Sequence, residues 1–200
     1  MAKLFFYYST MNAGKSTSLL QAAHNYDERG MTTLLFTLSD PQKPEIPIRI
    51  ASRIGIGKDA TGFGPTTDFW SICTTAKPAP DCVLIDEAQF LSQIQVRQLA
   101  RLVDEANIPV MCYGLRTDFR GDLFPGSTAL LAWADTLNEL KTICLCGRKA
   151  TMVVRVTPDG SVEREGAQIE IGGNNRYVPL CRKHFSQSVN TGVCAGWRPG

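Results

Sequence analysis

Apolar residues in this chain fall into short runs whose spacing separates strands from helices. Lys3 to Tyr8 (KLFFYY) reads as an aromatic-rich strand, and Lys15 to Arg29 as a helix that ends near Gly30. Thr32 to Thr37 (TTLLFT) predicts a second strand, and the three prolines of DPQKPEIP at 40 to 47 then force a loop or a sheet edge. Residues 55 to 67, with four glycines and a proline, read as irregular, followed by a short helix over Asp68 to Thr75. Cys82 to Asp86 (CVLID) is a continuous apolar run ending in acids, as expected of a strand buried on both faces of a parallel sheet. Ser92 caps a helix to about Asn107, with Ile94, Val96, Leu99, Leu102, Val103 and Ala106 on one face. Pro109 then opens a strand, Val110 to Leu115.

Strands that alternate with helices imply an α/β fold with a parallel sheet and helices on both faces, whose ligands bind beyond the carboxyl ends of the strands. After Lys141 the texture changes. Strand-like TMVVRV, the turn PDG at 158 to 160 and a strand near Ala167 to Ile171 predict a small β-rich appendage. The organisation expected is therefore a domain over 1–140, an appendage over 141–191 and a mobile tail over 192–200 without periodicity. No internal repeat or low-complexity segment interrupts this order.

An apolar fraction of 44% and a charged fraction of 20% are ordinary globular values, so neither a disordered nor a membrane protein is indicated. The formal charge of +2 provides no broad basic field, which disfavours a nucleic-acid partner and leaves room for a local phosphate pocket. The apolar run at Leu4 to Tyr8 is too short for a signal-peptide core, so a cytoplasmic location is expected. Seven cysteines, an odd number, speak against a complete disulfide framework. Cys82 and Cys112, in apolar strands, read as buried thiols.

Two motifs carry chemistry at strand ends. In YYSTMNAGKST, Gly14, Lys15 and Ser16 satisfy the end of G-x-x-x-x-G-K-[ST], while Ser9 stands where the first glycine belongs. Such a loop aims backbone N–H groups and a helix N-terminus at phosphate oxygens; the lysine adds a cation and the serine hydroxyl a Mg²⁺ ligand. The first glycine only shapes the exit from the strand, so serine serves there if its backbone angles are ordinary. The bland alternative is a plain helix start. Asp86 and Glu87 close a buried strand, and strand alternation lets Asp86 face Mg²⁺ while Glu87 turns toward a second substrate.

With Ser9 to Thr17, DEAQF at 86 to 90, GLRTDFRGDLFPGS at 114 to 127, and Cys144 and Cys146 followed by CRKH at 181 to 184, the chain resembles the bacterial zinc-containing thymidine kinases from about Ala2 to Val189. The resemblance implies a P-loop (RecA-like) α/β domain with a small β-rich zinc-binding lid. It implies transfer of the γ-phosphoryl group of ATP to the 5′-hydroxyl of thymidine, giving dTMP and ADP. Glu87 is then the general base and Asp86 a water-mediated Mg²⁺ contact. ATP falls to Ser9, Thr10, Met11, Asn12, Ala13, Gly14, Lys15 and Ser16, with Gln89 beside them.

The same kinship places Met11, Phe90, Leu115, Phe119 and Phe124 around thymine, where simple core packing is the competing reading. Ile171, Gly172, Gly173 and Tyr177 would contact thymidine through backbone groups, whose fixed polarity distinguishes thymine from cytosine. Cys144, Cys146, Cys181 and His184 form a soft four-ligand set suited to structural Zn²⁺, and the tight C-x-C needs the sharp turn that Gly147 permits. Similarity to the family's zinc site decides that assignment. A homotetramer and dTTP feedback are implied by kinship alone. The family's Asp-x-Arg element has no clear counterpart, and Asp40 and Arg49 stay unassigned. The rivals are a phosphate-loop ATPase working on DNA and a zinc-ribbon interaction module.

Overall fold

The short apolar runs become the strands of one parallel sheet. The structure, a computed structural model, describes residues 1–39, 48–168, 176–194 and 196–197. It divides into two compact units, one of Met1–Tyr8, Gly14–Gly114 and Pro125–Glu139, the other of Ser9–Ala13, Leu115–Phe124 and Leu140–Gly200.

The first unit runs β1 (Leu4–Ser9), α1 (Lys15–Asp27), β2 (Thr33–Leu38), β3 (Arg49–Ala51), β4 (Gly57–Asp59), β5 (Thr61–Phe63), α2 (Phe69–Thr75), β6 (Cys82–Ile85), α3 (Gln93–Ala106), β7 (Val110–Leu115), α4 (Pro125–Trp133) and β8 (Thr136–Glu139). Six strands form the sheet in the order β5-β2-β6-β7-β1-β8. The pairs β1–β8, β2–β5, β2–β6 and β6–β7 are parallel. β3 and β4 form a separate antiparallel pair.

All four residues of β6 are fully buried, as the unbroken apolar run CVLI requires. Val83 and Ile85 join Phe36, Phe69, Leu99, Val103 and Leu130 in the main core, which draws on α2, α3 and α4. The alternate residue Cys82 bonds instead to Tyr26 of α1, and Ser18 of the same helix bonds to Tyr113. Because neighbouring strand residues face opposite ways, helices cover both faces of the sheet. Cys82 and Cys112 are buried thiols, and burial pushes Cys82 up to about 11.

α3 starts with a full capping box: Ser92 accepts from the Gln95 N–H at 3.2 Å, and Gln95 Oε1 accepts from the Ser92 N–H at 2.9 Å. One residue departs from its expected face. Ile94 is 71% exposed, because it lies about 200° around the helix from Val96, outside the arc that Val96, Leu99 and Val103 share.

The glycine-rich stretch 55–67 is not irregular. It holds β4 and β5, and β5 extends the sheet by pairing Phe36 with Thr61 and Leu38 with Phe63. Gly55 (φ 87°) makes the turn between β3 and β4, whereas Gly62 and Gly57 serve close approach: a Cβ on Gly62 would lie 2.4 Å from Ile48 Cδ1, and one on Gly57 would lie 3.0 Å from the Ile50 carbonyl oxygen. α4 and β8 also went unforeseen. The proline-rich loop at 40–47, with Asp40, lies outside the described residues.

The second unit adds β9 (Thr142–Ile143), β10 (Lys149–Ala150), β11 (Met152–Val156), β12 (Val162–Glu163), β13 (Tyr177–Leu180) and α5 (Arg182–Thr191). β9 and β10 form an antiparallel pair, and a second antiparallel sheet has the order β12-β11-β13. Ala167 and Gln168 belong to no strand, and residues 169–175, where the rest of the expected strand and Ile171, Gly172 and Gly173 fall, lie outside the described residues. The tail is packed further than its sequence suggested. The Val162 N–H donates to the Gly192 carbonyl at 2.8 Å, and Cys194 is buried in the core with Val154, Val156 and Leu180. Cys194 and the partly buried Trp197 supply the anchor that periodicity could not reveal.

Gly126, at the start of α4, lies against the turn that follows β6. A Cβ there would sit 2.5, 2.7 and 2.8 Å from the carbonyl oxygens of Ala88, Gln89 and Leu91. Backbone cannot move aside as a side-chain tip can, so Gly126→Ala should lower unfolding free energy by about 1–3 kcal/mol. Urea denaturation followed by circular dichroism checks this; an unchanged midpoint contradicts it.

Candidate active site and metal centre

The phosphate-type loop leaves β1 without a glycine and without strain. Among the described residues, the non-glycine positions with positive φ are Asn12, Glu87 and Asn107, so Ser9 has an ordinary backbone. Ser9 is buried, and its hydroxyl donates to the Thr10 carbonyl at 2.8 Å. The left-handed steps fall later, at Asn12 (φ 60°) and Gly14 (φ 74°). Asparagine tolerates that region and glycine enters it freely. Gly14 directly precedes α1, and a Cβ there would meet no protein atom within 4 Å. At Gly14, then, backbone faces open space at a helix N-terminus, which is what a phosphate needs.

Two residues on, Ser16 donates to Asp86 Oδ2 at 3.0 Å, tying the first turn of α1 to the end of β6. Asp86 is 5% exposed and accepts a second bond, at 3.1 Å, from the Glu87 N–H. Burial, then the neighbouring Glu87 charge, pushes the Asp86 carboxyl up to about 6; the Ser16 bond, the Glu87 N–H and Lys15 oppose the rise. Burial also pulls the Lys15 ammonium down, against the Glu87 and Asp86 charges, with Arg53 adding to the fall. Arg53, from the β3–β4 turn, is a cation that sequence reasoning missed beside this lysine. Two carboxylates, a serine hydroxyl and a lysine thus converge, an oxygen-rich set that fits a hard divalent cation and a phosphate.

The strand alternation expected at Asp86 and Glu87 is absent. β6 ends at Ile85, and Glu87 is left-handed (φ 53°, ψ 35°) ahead of a 3₁₀ turn over Ala88–Phe90. Left-handed backbone in a glutamate carries strain, and strain of this kind collects at functional positions. Gln89, 1% exposed, donates its side-chain amide to Glu87 Oε2. Gly14, Lys15, Ser16, Asp86, Glu87 and Gln89 all lie in the first unit. Phe90, also there, packs half-buried on the main core.

The remaining expected residues lie in the second unit. Thr10 donates to the Met152 carbonyl at 3.0 Å, and the Arg116 N–H to the Ser9 carbonyl at 3.0 Å. Met11 and Leu115 are half-buried, and Asn12 is exposed beside half-buried Ala13. Phe119 and Phe124 are buried, with the Arg155 guanidinium 3.9 Å above the Phe119 ring. Tyr177, on β13, is half-buried. Asp118 is the organising residue that the sequence did not disclose. Its buried carboxylate accepts from the N–H groups of Arg120 and Asp122, from the Arg120 guanidinium and from Gln168 Nε2, all at 2.9–3.1 Å. Only folding brings Gln168 to it.

Cys144, Cys146, Cys181 and His184 offer ligand atoms that all lie within 4.8 Å of one another. Cys146 Sγ is 3.9 Å from Cys181 Sγ, and His184 Nδ1 is 3.3 and 3.6 Å from Cys144 and Cys181 Sγ. A tetrahedral zinc with ordinary bond lengths has edges of about 3.8 Å between sulfurs and about 3.5 Å between sulfur and nitrogen, so the set fits zinc. Gly147 (φ 78°) makes the sharp turn, closed by its N–H donating to the Cys144 carbonyl at 2.8 Å. The His184 N–H at the start of α5 draws the Cys181 thiol down, toward the thiolate that a metal binds. With four protein ligands no coordination position is left open.

The parallel sheet flanked by helices defines an α/β fold of the phosphate-loop type, and the second unit carries a Cys/His cluster that fits a metal. The chain belongs to the thymidine kinase family, whose model, described as thymidine kinase, matches residues 2–185. Thymidine kinase of Jannaschia sp. (strain CCS1) is 59% identical over 191 residues, covering 94% of this chain and 97% of that protein. Thymidine kinase of Novosphingobium aromaticivorans is 58% identical over 192 residues, covering 94% and 99%.

Asp86 yields a pH-dependent expectation. The folded protein binds its proton more tightly than the unfolded chain, so the group favours folding most below about 4 and that advantage is lost as pH rises through about 6. Without nucleotide or divalent cation, Asp86→Asn should therefore stabilise the protein at pH 7.5 by about 1–3 kcal/mol. The gain should shrink toward zero near pH 4. Equal effects at both pH values, measured by thermal unfolding, would contradict the account.

Proposed function

We propose that this chain transfers the γ-phosphoryl group of ATP to the 5′-hydroxyl of thymidine, giving ADP and dTMP for DNA synthesis. The observation that carries the reading is the Ser16–Asp86 bond at 3.0 Å with Glu87 next in sequence, inside a member of this family. Backbone N–H groups around Gly14 and the start of α1 hold the phosphates, and Lys15 adds its charge. Ser16 directly, and Asp86 through water, would hold Mg²⁺, which neutralises phosphate oxygens as charge builds on them. Glu87 accepts the proton of the 5′-hydroxyl as its oxygen attacks phosphorus, and the ADP oxygen leaves in line. No covalent intermediate on the protein is required.

Family resemblance adds Met11, Phe90, Leu115, Phe119 and Phe124 around thymine, and Ile171, Gly172, Gly173 and Tyr177 at its polar edge. Ser9, Thr10, Asn12 and Ala13 complete the ATP loop. Residues 1–140 act as the kinase domain and 141–191 as its zinc-bound lid, where zinc ties Cys144 and Cys146 to Cys181 and His184. A cytoplasmic homotetramer inhibited by dTTP completes the proposal.

A nucleoside panel with ATP and Mg²⁺, scored for 5′-monophosphates, tests the reaction: thymidine should be the preferred acceptor and cytidine inert. ATP consumption without a nucleoside would reject it. Glu87→Gln should lower kcat by roughly 10²–10⁴-fold with ATP binding kept. Cys181→Ser should lose the bound zinc seen by metal analysis; stoichiometric zinc in that variant would refute the ligand set.

A further inference from the structure

The turn after β6 is held by two missing side chains. On one side, Gly126 lets the carbonyls of Ala88, Gln89 and Leu91 lie against α4. On the other, Gly114 of β7 gives room to Gln89 itself: a Cβ there would sit 2.9 Å from the Gln89 nitrogen and 3.0 Å from its Oε1. Gly114 has no positive φ, so conformational freedom does not explain it. Close approach does. The glutamine seated by this arrangement is 1% exposed and gives its amide to Glu87 Oε2.

We propose that Gln89 is a positioning residue, whose buried amide fixes the direction of the Glu87 carboxylate, and that Gly114 is glycine so that the amide can stay there. This rests on the reading of Glu87 as the general base. A carboxylate at the end of a flexible side chain loses rate when it wanders from the proton that it must take, and a hydrogen bond from a side chain with no freedom of its own removes that wandering. The amide suits the task because it donates without bringing a charge. A lysine would neutralise the base, and an acid would repel it. Asp86, one residue earlier, is oriented separately by Ser16, so the two carboxylates have separate supports.

The test is a double-mutant cycle on the intact enzyme with ATP, Mg²⁺ and thymidine. Gln89→Met keeps the volume and removes the donor. It should lower kcat roughly tenfold, the worth of one such bond in the transition state, with KM for ATP and for thymidine within about twofold of the wild type. In a Glu87→Gln background the same change should cost nothing further. A tenfold loss that persists in that background, a wild-type kcat, or a raised KM for ATP at unchanged kcat overturns the proposal while leaving Glu87 as the base. Glu87→Gln with undiminished kcat overturns both. Should Gln89→Met fail to fold, Gln89→Leu, which likewise removes the donor without adding a charge, should give the same kcat-selective loss.

Discussion

A carboxylate taken almost wholly out of water is the constraint on which this site depends. Asp86 is held by one hydroxyl and one N–H, too little to cancel the cost of its burial and of the charge beside it, and its carboxyl stays near 6. A group in that condition gains from a cation. The same bond that partly satisfies it fixes the first turn of α1 against the end of β6.

Backbone conformation then sets what each side chain faces. Asn12 and Gly14 are left-handed in the loop before α1, and Glu87 is left-handed where the chain leaves the line of β6. The glutamate bears strain that glycine would not. Gly114 and Gly126 press the following turn from two sides, so the strained residue is held where surrounding structure over-determines it. In the second unit Cys144 and Cys181 meet on a small apolar core with Val154 and Leu180, and the four ligand atoms gathered there fit a tetrahedral metal.

Much of this was legible in the residues. β1, β6, β7, α1, α2 and α3 follow from apolar spacing and caps to within two residues, because each buries a face whose period is written locally. Where glycine or brevity masks the period, reading fails: β5 is three residues that gain strand form from β2, and β13 and α5 gain theirs from β11 and the second core. The motif at Gly14 to Ser16 and the soft-ligand set could be named from sequence. The role of Ser9 needed its φ, and the turn at Glu87 needed its backbone. Asp118 and Arg53 could not be found at all, since their significance lies in partners, Gln168 and Lys15, distant in sequence.

The central claim is that Glu87, fixed beside a phosphate-holding loop, takes a proton from the thymidine 5′-hydroxyl. A crystal structure with thymidine, Mg²⁺ and a non-hydrolysable ATP analogue measures this most directly. A Glu87 oxygen should lie about 2.6–3.2 Å from the 5′-oxygen, with that oxygen in line with the γ-phosphorus. A 5′-hydroxyl bonded to some other base, with the Glu87 carboxylate turned from it, would contradict the account.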